Sequence, residues 1–304
     1  MGLAQRAGTL HPTVRGMLWM AATGLLFTLL NVVTKKLSHE LEPWLVGFLR
    51  YAVGALVMLP AVWRFGPRGL WSNAPRLQLV RGVFHVTGMA LWFYALPLVT
   101  MADLTAIGFS GPLFICLGAT LFLGERMTGG RWTAVLVGFS GVLLVVQPWQ
   151  GGVSGTLLGG ISTGMLLMLL ASPVFAGSFL AAKALSRHDK PEIIVLWQHL
   201  LVSLFGLPVA IVLWSMPDPV QWALIVVSAL LGTGGHYCMT RAFRVADISA
   251  VQSVKFLELV WAALLGFAVF GTIPGLWTVL GGVVIFLSTL LLARQESRRP
   301  ASRG

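Results

Sequence analysis

The sequence predicts an all-α membrane protein of ten transmembrane helices, built as two inverted five-helix repeats with both termini in the cytoplasm. Three observations carry this reading. Of 304 residues, 57% are hydrophobic and 10% are charged, against about 25% charged in an ordinary globular chain, and the mean hydropathy is +0.84. The apolar residues fall into ten runs, each long enough to cross a bilayer. Lys and Arg gather at alternate connections between those runs, and the chain partly repeats itself at its midpoint.

A spanning helix needs about 20 apolar residues. A segment 1–13 with Arg6 precedes the first run, 14–36, which has no clear small-residue cleavage site and reads as a retained span. The second run, 43–64, is followed by the turn Gly66-Pro67-Arg68-Gly69, and the third and fourth cover 76–96 and 100–123. The fifth, 131–149, closes the first repeat, 14–149; the second repeat, 156–293, opens on the sixth run, 156–183. Runs seven and eight, 192–214 and 220–241, flank Met216-Pro217-Asp218-Pro219. Runs nine and ten, 246–270 and 274–293, lead into a basic tail, 294–304. These runs are too long for the 9–11-residue strands of a barrel, so lipid leaves only helices.

Orientation follows from the cations. With the N-terminus inside, the inner segments hold seventeen of the 21 Lys and Arg, the outer ones only Lys35 and Lys36, and Arg50 and Lys255 lie within spans. The net charge of +11 therefore serves topology, since no basic stripe interleaves with exposed aromatics as nucleic-acid binding requires. Cys116 and Cys238 sit in apolar runs as small core residues. No P-loop, paired CxxC or HExxH occurs, so neither ATP-driven transport nor zinc hydrolysis has support, and no cofactor is expected.

A shift of 148 residues lays Lys35, Leu37, Ser38 and Pro43 on Lys183, Leu185, Ser186 and Pro191. At 147, Ala95, Phe109, Leu117 and Gly124 meet Ala242, Phe256, Leu264 and Gly271. Five spans per repeat make the second half enter the membrane from the opposite side. Secondary transporters use this plan, with the substrate near the midplane between halves and access alternating as one bundle rocks on the other. A static scaffold born of the same duplication is the competing reading.

Phe48-Leu49-Arg50-Tyr51, Tyr94-Ala95-Leu96, Gly111-Pro112-Leu113-Phe114, Leu123-Gly124-Glu125-Arg126 and Gly138-Phe139-Ser140-Gly141-Val142 follow one another in the first half. Arg241-Ala242-Phe243-Arg244 and Leu257-Glu258-Leu259-Val260 take the equivalent places in the second. In that order the chain, over about residues 14–294, resembles the drug/metabolite transporter superfamily and its EamA-type exporters. The resemblance implies a multi-pass carrier of the bacterial cytoplasmic membrane and not an enzyme, with spans 1–4 and 6–9 around the cavity. It implies export of a small organic metabolite, first an amino acid or amino-acid-derived zwitterion; uptake of riboflavin or S-adenosylmethionine is the alternative. Proton coupling and a homo-oligomer are both compatible with it. Where the family often has Glu-Pro, this chain has Glu258-Leu259, so a stiffer ninth span is expected.

Ionisable groups in lipid cost about 2.5–3.5 kcal/mol each on insertion scales, which makes them functional candidates. Lys255 and Glu258, three apart, are expected to pair on one face, either to meet a zwitterion or as an internal ion pair. Arg50 suits a carboxylate or a neighbouring helix's carbonyls, and His85, His199 and His236 could carry a coupling proton. Trp92 and Tyr94 share a span with His85 and suit a planar solute, while Asn31 and Gln252 offer amides. Gly24, Pro112, Ser172 and Pro173 are the expected hinges, and Gly155, Gly159, Gly160 and Gly164 permit close helix contact. Gly108-Phe109-Ser110-Gly111 has the form of an intramembrane serine protease motif with His236 as a base, but Gly138-Phe139-Ser140-Gly141 repeats its letters.

Overall fold

The computed structural model describes residues 11–38, 40–64, 66, 70–95, 98, 110–146, 163–270 and 275–297. Among them every regular element is helical: α1 (Pro12–Leu37), α2 (Pro43–Trp63), α3 (Pro75–Ala95), α4 (Gly111–Leu123), α5 (Gly129–Val146), α6 (Thr163–Leu185), α7 (Pro191–Val212), α8 (Pro219–Val245), α9 (Leu257–Phe270) and α10 (Leu276–Ser297). The expected segments 1–10, 147–149, 156–162 and 298–304, residues 100–109 of the fourth span, and Gly155, Gly159 and Gly160 lie outside the described residues. By length and composition α1, α2, α6, α7 and α8 could each cross a membrane. The third helix, carrying Gln78, Arg81 and His85, is more polar because those side chains are buried in the bundle.

Helix starts follow local chemistry. Proline occupies the first turn of α1, α4, α7 and α8, where its missing N–H costs nothing. Asp218 accepts from Gln221 N at 2.8 Å while Gln221 Oε1 accepts from Asp218 N at 2.9 Å, a capping box that opens α8. Gly124, at φ 68°, ends α4 in the left-handed region. Among the described residues Pro112 lies in the first turn of α4, and residues 100–109 of the same span lie outside them. One expectation is corrected here. The ninth span is broken despite Leu259: a one-turn helix, Ile248–Val251, passes into a 3-10 segment, Gln252–Phe256, before α9. Ser172 and Pro173 lie inside α6, which continues through them.

The helix packing obeys an approximate two-fold axis. Helix α1 packs on α8 as α6 packs on α3; α2 meets α8 as α7 meets α3; α1 meets α9 as α6 meets α4; α2 with α7 and α5 with α10 pair with their own equivalents. Close approaches repeat with it. A methyl group at Gly235 would stand 2.6 Å from Phe27 Cδ1, and one at Gly88 would stand 3.0 Å from Phe175 Cγ; these are equivalent pairs in the registers above. Likewise Ser288 Oγ donates to Ala134 O at 2.8 Å, where the equivalent Gly141 faces Gly281 O. Small residues let these backbones meet, as lipid-embedded packing requires.

Both ends of the bundle are tied by polar contacts. At one end Glu125 accepts from Ile248 N, Ser249 N and Ser249 Oγ at 2.9, 3.0 and 2.6 Å. Beside it Arg131 pairs with Asp247 at 3.0 Å, and Lys183 Nζ donates to Phe243 O and Ala246 O at 2.6 and 2.5 Å, capping the end of α8. Asp189 accepts from Ser72 Oγ, Asn73 N and Gln78 Nε2, tying the α6–α7 turn to the approach to α3. At the other end Gln221 donates to Glu40 at 3.1 Å, and Trp44 Nε1 donates to Gly206 O at 3.2 Å.

Candidate substrate site at the repeat interface

Polar side chains in a membrane interior need partners, because lipid offers none. In this protein they find one another on the two-fold axis. The equivalent residue of Tyr51, 148 positions on, is His199, and their rings touch edge to face with centroids 5.1 Å apart. A residue that contacts its own symmetry mate lies on the axis. Tyr51 Oη is 2.7 Å from His85 Nε2 and 3.3 Å from His236 Nε2, so α2, α3, α7 and α8 converge there.

The surrounding bonds fix each ring. The carbonyl of Val195 only accepts, so His199 Nδ1, 2.8 Å away, carries a hydrogen; the neutral ring then accepts the Thr233 hydroxyl at Nε2, 3.1 Å away. His85 Nδ1 is 3.2 Å from Ser178 Oγ. Arg81, 1% exposed, donates to Ile194 O at 2.9 Å and to Gln198 Oε1, while Gln198 Nε2 lies 3.3 Å from His85 Nε2. Phe27 packs edge-on to His236 and Phe175 to His85, at 5.1 and 5.5 Å. The Arg50 guanidinium lies over the Tyr51 ring, 4.2 Å from its centroid. It fits because Gly232 has no side chain: a methyl there would come 2.5 Å from Arg50 Nη1.

A second polar locus lies where the 3-10 segment meets α9. Gln252 Oε1, Ser253 Oγ, Glu258 Oε1 and Trp261 Nε1 are buried without a hydrogen-bond partner. Gly24 makes room for Glu258, since a methyl at Gly24 would stand 3.1 Å from Glu258 Cγ. Thr28 Oγ1 donates to Gly24 O at 2.8 Å and lies 3.4 Å from Glu258 O.

Of the residues singled out in the sequence, Arg50, His85, His199 and His236 meet at the axis, and Glu258 meets Gly24 at the second locus, with Gln252 in the adjoining 3-10 segment. The expected Lys255–Glu258 pair does not form: Lys255 Nζ lies 5.1 Å from the Phe179 ring, whereas Glu258 faces α1. The winding changes from 3-10 to α between them, which turns the two side chains toward different neighbours. Tyr94 is 70% exposed and Asn31 is also exposed, both outside the cluster, while Trp92 packs with Met168 and Ala95. Ser172 Oγ bonds to Ser110 Oγ at 3.3 Å, and His236 bonds to Tyr51 rather than to Ser110, so the serine–histidine dyad is not assembled. Tyr51, Gln198 and Arg81 join the site only in the structure, and Arg81, one of the cations assigned to the inner segments by charge, lies buried within α3. The repeat register was the available signal, because it lays Tyr51 on His199 and Arg50 on Gln198.

The profile of the EamA-like transporter family matches residues 14–147 and 162–294, one repeat each. A riboflavin transporter of Rhizobium johnstonii is 32% identical over 289 residues, covering 94% of this chain and 93% of that one. An S-adenosylmethionine uptake transporter of Rickettsia prowazekii is 26% identical, covering 95% and 96%. A pseudopaline exporter of Pseudomonas aeruginosa is 26% identical, covering 92% and 96%. A crystal structure superposes with a TM-score of 0.79 at 19% identity, covering 92% of this chain and 98% of that one, which is a likeness of fold.

Proposed function

From the premise that this chain belongs to the EamA-like transporter family, as a multi-pass protein of the bacterial inner membrane, we propose that it takes up a planar, hydrogen-bonding heterocycle of the riboflavin class. The observation that carries this reading is the ring cluster on the axis. Tyr51 and His236 each lie 5.1 to 6.1 Å, centroid to centroid, from His85 and His199 and from one another, and Phe27 and Phe175 border the cluster. Flat edges and faces of this kind stack on a flat solute, and the imidazole and phenol atoms hydrogen-bond its rim. The similarity to riboflavin transporters from Rhizobium johnstonii and Vibrio cholerae, at 32% and 31% identity, points the same way.

Transport proceeds by alternating access. Both termini are cytoplasmic, and the clasp of Glu125 and Arg131 on Ile248, Ser249 and Asp247 of the second repeat closes the inner side. Rocking of one repeat against the other breaks that clasp and opens the axis to the cytoplasm. Gly24, Ser172 and Pro173 serve as hinges, and the histidines carry a proton when transport is coupled. The test is uptake of labelled riboflavin by the purified protein in liposomes, with and without an imposed pH gradient. Saturable uptake that falls at least tenfold in Tyr51→Phe supports the reading; absence of riboflavin transport overturns it.

A second reading, export of an amino-acid-derived zwitterion, has its own observation. The Glu258 carboxylate, with one buried oxygen unpartnered, would meet an ammonium while Arg50 meets a carboxylate, and the pseudopaline exporter is a relative. Counterflow of labelled amino acids that is lost in Glu258→Gln would favour it.

A further inference from the structure

We propose that Arg50 and Arg81 make the axial centre an electropositive, acceptor-reading site, which selects solutes with a dione, carboxylate or phosphate edge and excludes cations. This deepens the uptake reading above and rests on it for the location of the site. Neither guanidinium has a carboxylate partner among the described residues. Glu125, Asp189 and Asp247 are engaged in the clasps at one end of the bundle. Glu40 and Asp218 are bonded to Gln221 at the other end, and Glu42 is exposed just before α2. Glu192 accepts from Tyr237 at 3.2 Å, and Glu258 faces Gly24 on α1. A buried cation without a counter-charge is costly, and that cost falls when a ligand supplies negative charge or acceptors.

The cluster's acceptors are occupied: Gln198 Oε1 takes Arg81, and His199 Nε2 takes Thr233. What is left over is largely donors. Arg50 makes no hydrogen bond among the described residues and only rests on Tyr51, and Arg81 Nε–H is buried without an acceptor. An arginine presents five N–H groups and never accepts.

The two-fold symmetry is broken at these positions. Both guanidiniums come from the first repeat, whereas the equivalent positions hold the neutral Gln198 and Ser228. Where the two-fold puts His85 in one half it puts Gly232 in the other, and Arg50 fills the space that Gly232 leaves. A solute bound on the axis therefore meets donors from α2 and α3 on one flank. The dione edge of a flavin supplies acceptors there without bringing positive charge; a sulfonium nucleoside brings a cation toward two others.

The experiment measures equilibrium binding of labelled riboflavin to the purified protein, competed by flavin mononucleotide, orotate and S-adenosylmethionine. The wild type is expected to bind riboflavin and to ignore S-adenosylmethionine at equal concentration. Arg50→Gln, at a half-buried position with no hydrogen bond to lose, weakens riboflavin roughly tenfold to hundredfold. Arg50→Lys recovers part of that loss, and Arg50→Glu lets S-adenosylmethionine compete; Arg81→Lys checks the buried site where folding permits. A merely structural arginine would lower all ligands together and leave their ratio unmoved, and that result overturns the proposal. So does a wild type that binds S-adenosylmethionine as well as riboflavin, or one that binds only cations. Binding of orotate but not riboflavin, with the same Arg50 dependence, would sink the riboflavin reading and leave the selection rule standing.

Discussion

Gly54 on α2 is where a single methyl group tests the geometry of the axis. A Cβ built there stands 2.6 Å from His199 Nε2 and 2.8 Å from Thr233 Oγ1, whereas ordinary contact begins near 3.4 Å. The imidazole must therefore move by at least about 0.8 Å, the difference between 3.4 and 2.6 Å, since Cδ2 of the same ring lies closer still. It is poorly placed to do so, because Nδ1 is tied to Val195 O at 2.8 Å and the other edge faces Tyr51. Overpacking of this kind costs about 1–3 kcal/mol, and loss of the Thr233 hydrogen bond costs about 1 kcal/mol more. Replacing a helical glycine by alanine returns roughly 0.5–1 kcal/mol, so Gly54→Ala should destabilise by about 1–3 kcal/mol. Gly206→Ala on α7 is the control, since the nearest atom to its Cβ is 3.8 Å away, and it should be neutral or slightly stabilising. Thermal unfolding in detergent reads the stability of both variants, and liposome uptake reads function. Transport should fall at least tenfold in Gly54→Ala at temperatures where the protein remains folded. A Gly54→Ala protein as stable and as active as Gly206→Ala would refute both the packing argument and the placement of the site.

Two further outcomes test the movement and the topology. Glu125→Ala leaves Ile248 N, Ser249 N and Ser249 Oγ without their acceptor, each a bond to charge worth about 1.5–3 kcal/mol. A cysteine placed at the buried Ala246 should then react with a soluble thiol reagent at least tenfold faster, in a background with Cys116 and Cys238 replaced by Ala; an unchanged rate would remove the clasp from the gate. In intact cells, a cysteine at the exposed Lys36 should be labelled from outside, whereas one at the exposed Arg126 should be labelled only after permeabilisation. The reverse pattern would overturn the inside placement of the termini.

The sequence by itself determined the solvent and the frame. Ten apolar runs reflect the cost of exposing backbone to lipid, a constraint local to each run and thus readable from it. The two-repeat plan was legible as well, since a register of 147 or 148 residues survives in rare residues such as Lys35, Pro43 and their equivalents. Local chemistry misled where winding depended on neighbours: a missing proline beside Glu258 suggested a continuous ninth helix, yet the chain from Ile248 to Phe256 passes through a one-turn helix and a 3-10 segment. Likewise the Lys255–Glu258 pair assumed an unbroken α-helix. Only the tertiary structure decided which polar residues share a site. Tyr51, His85, His199 and His236 lie on four helices, and Tyr51 is 185 positions from His236, a separation that no local pattern encodes. It also decided that Tyr94, on the same helix as His85, stands outside the cluster. Hydropathy says that a residue lies in the membrane; which side of its helix faces protein is fixed only when the other helices pack against it.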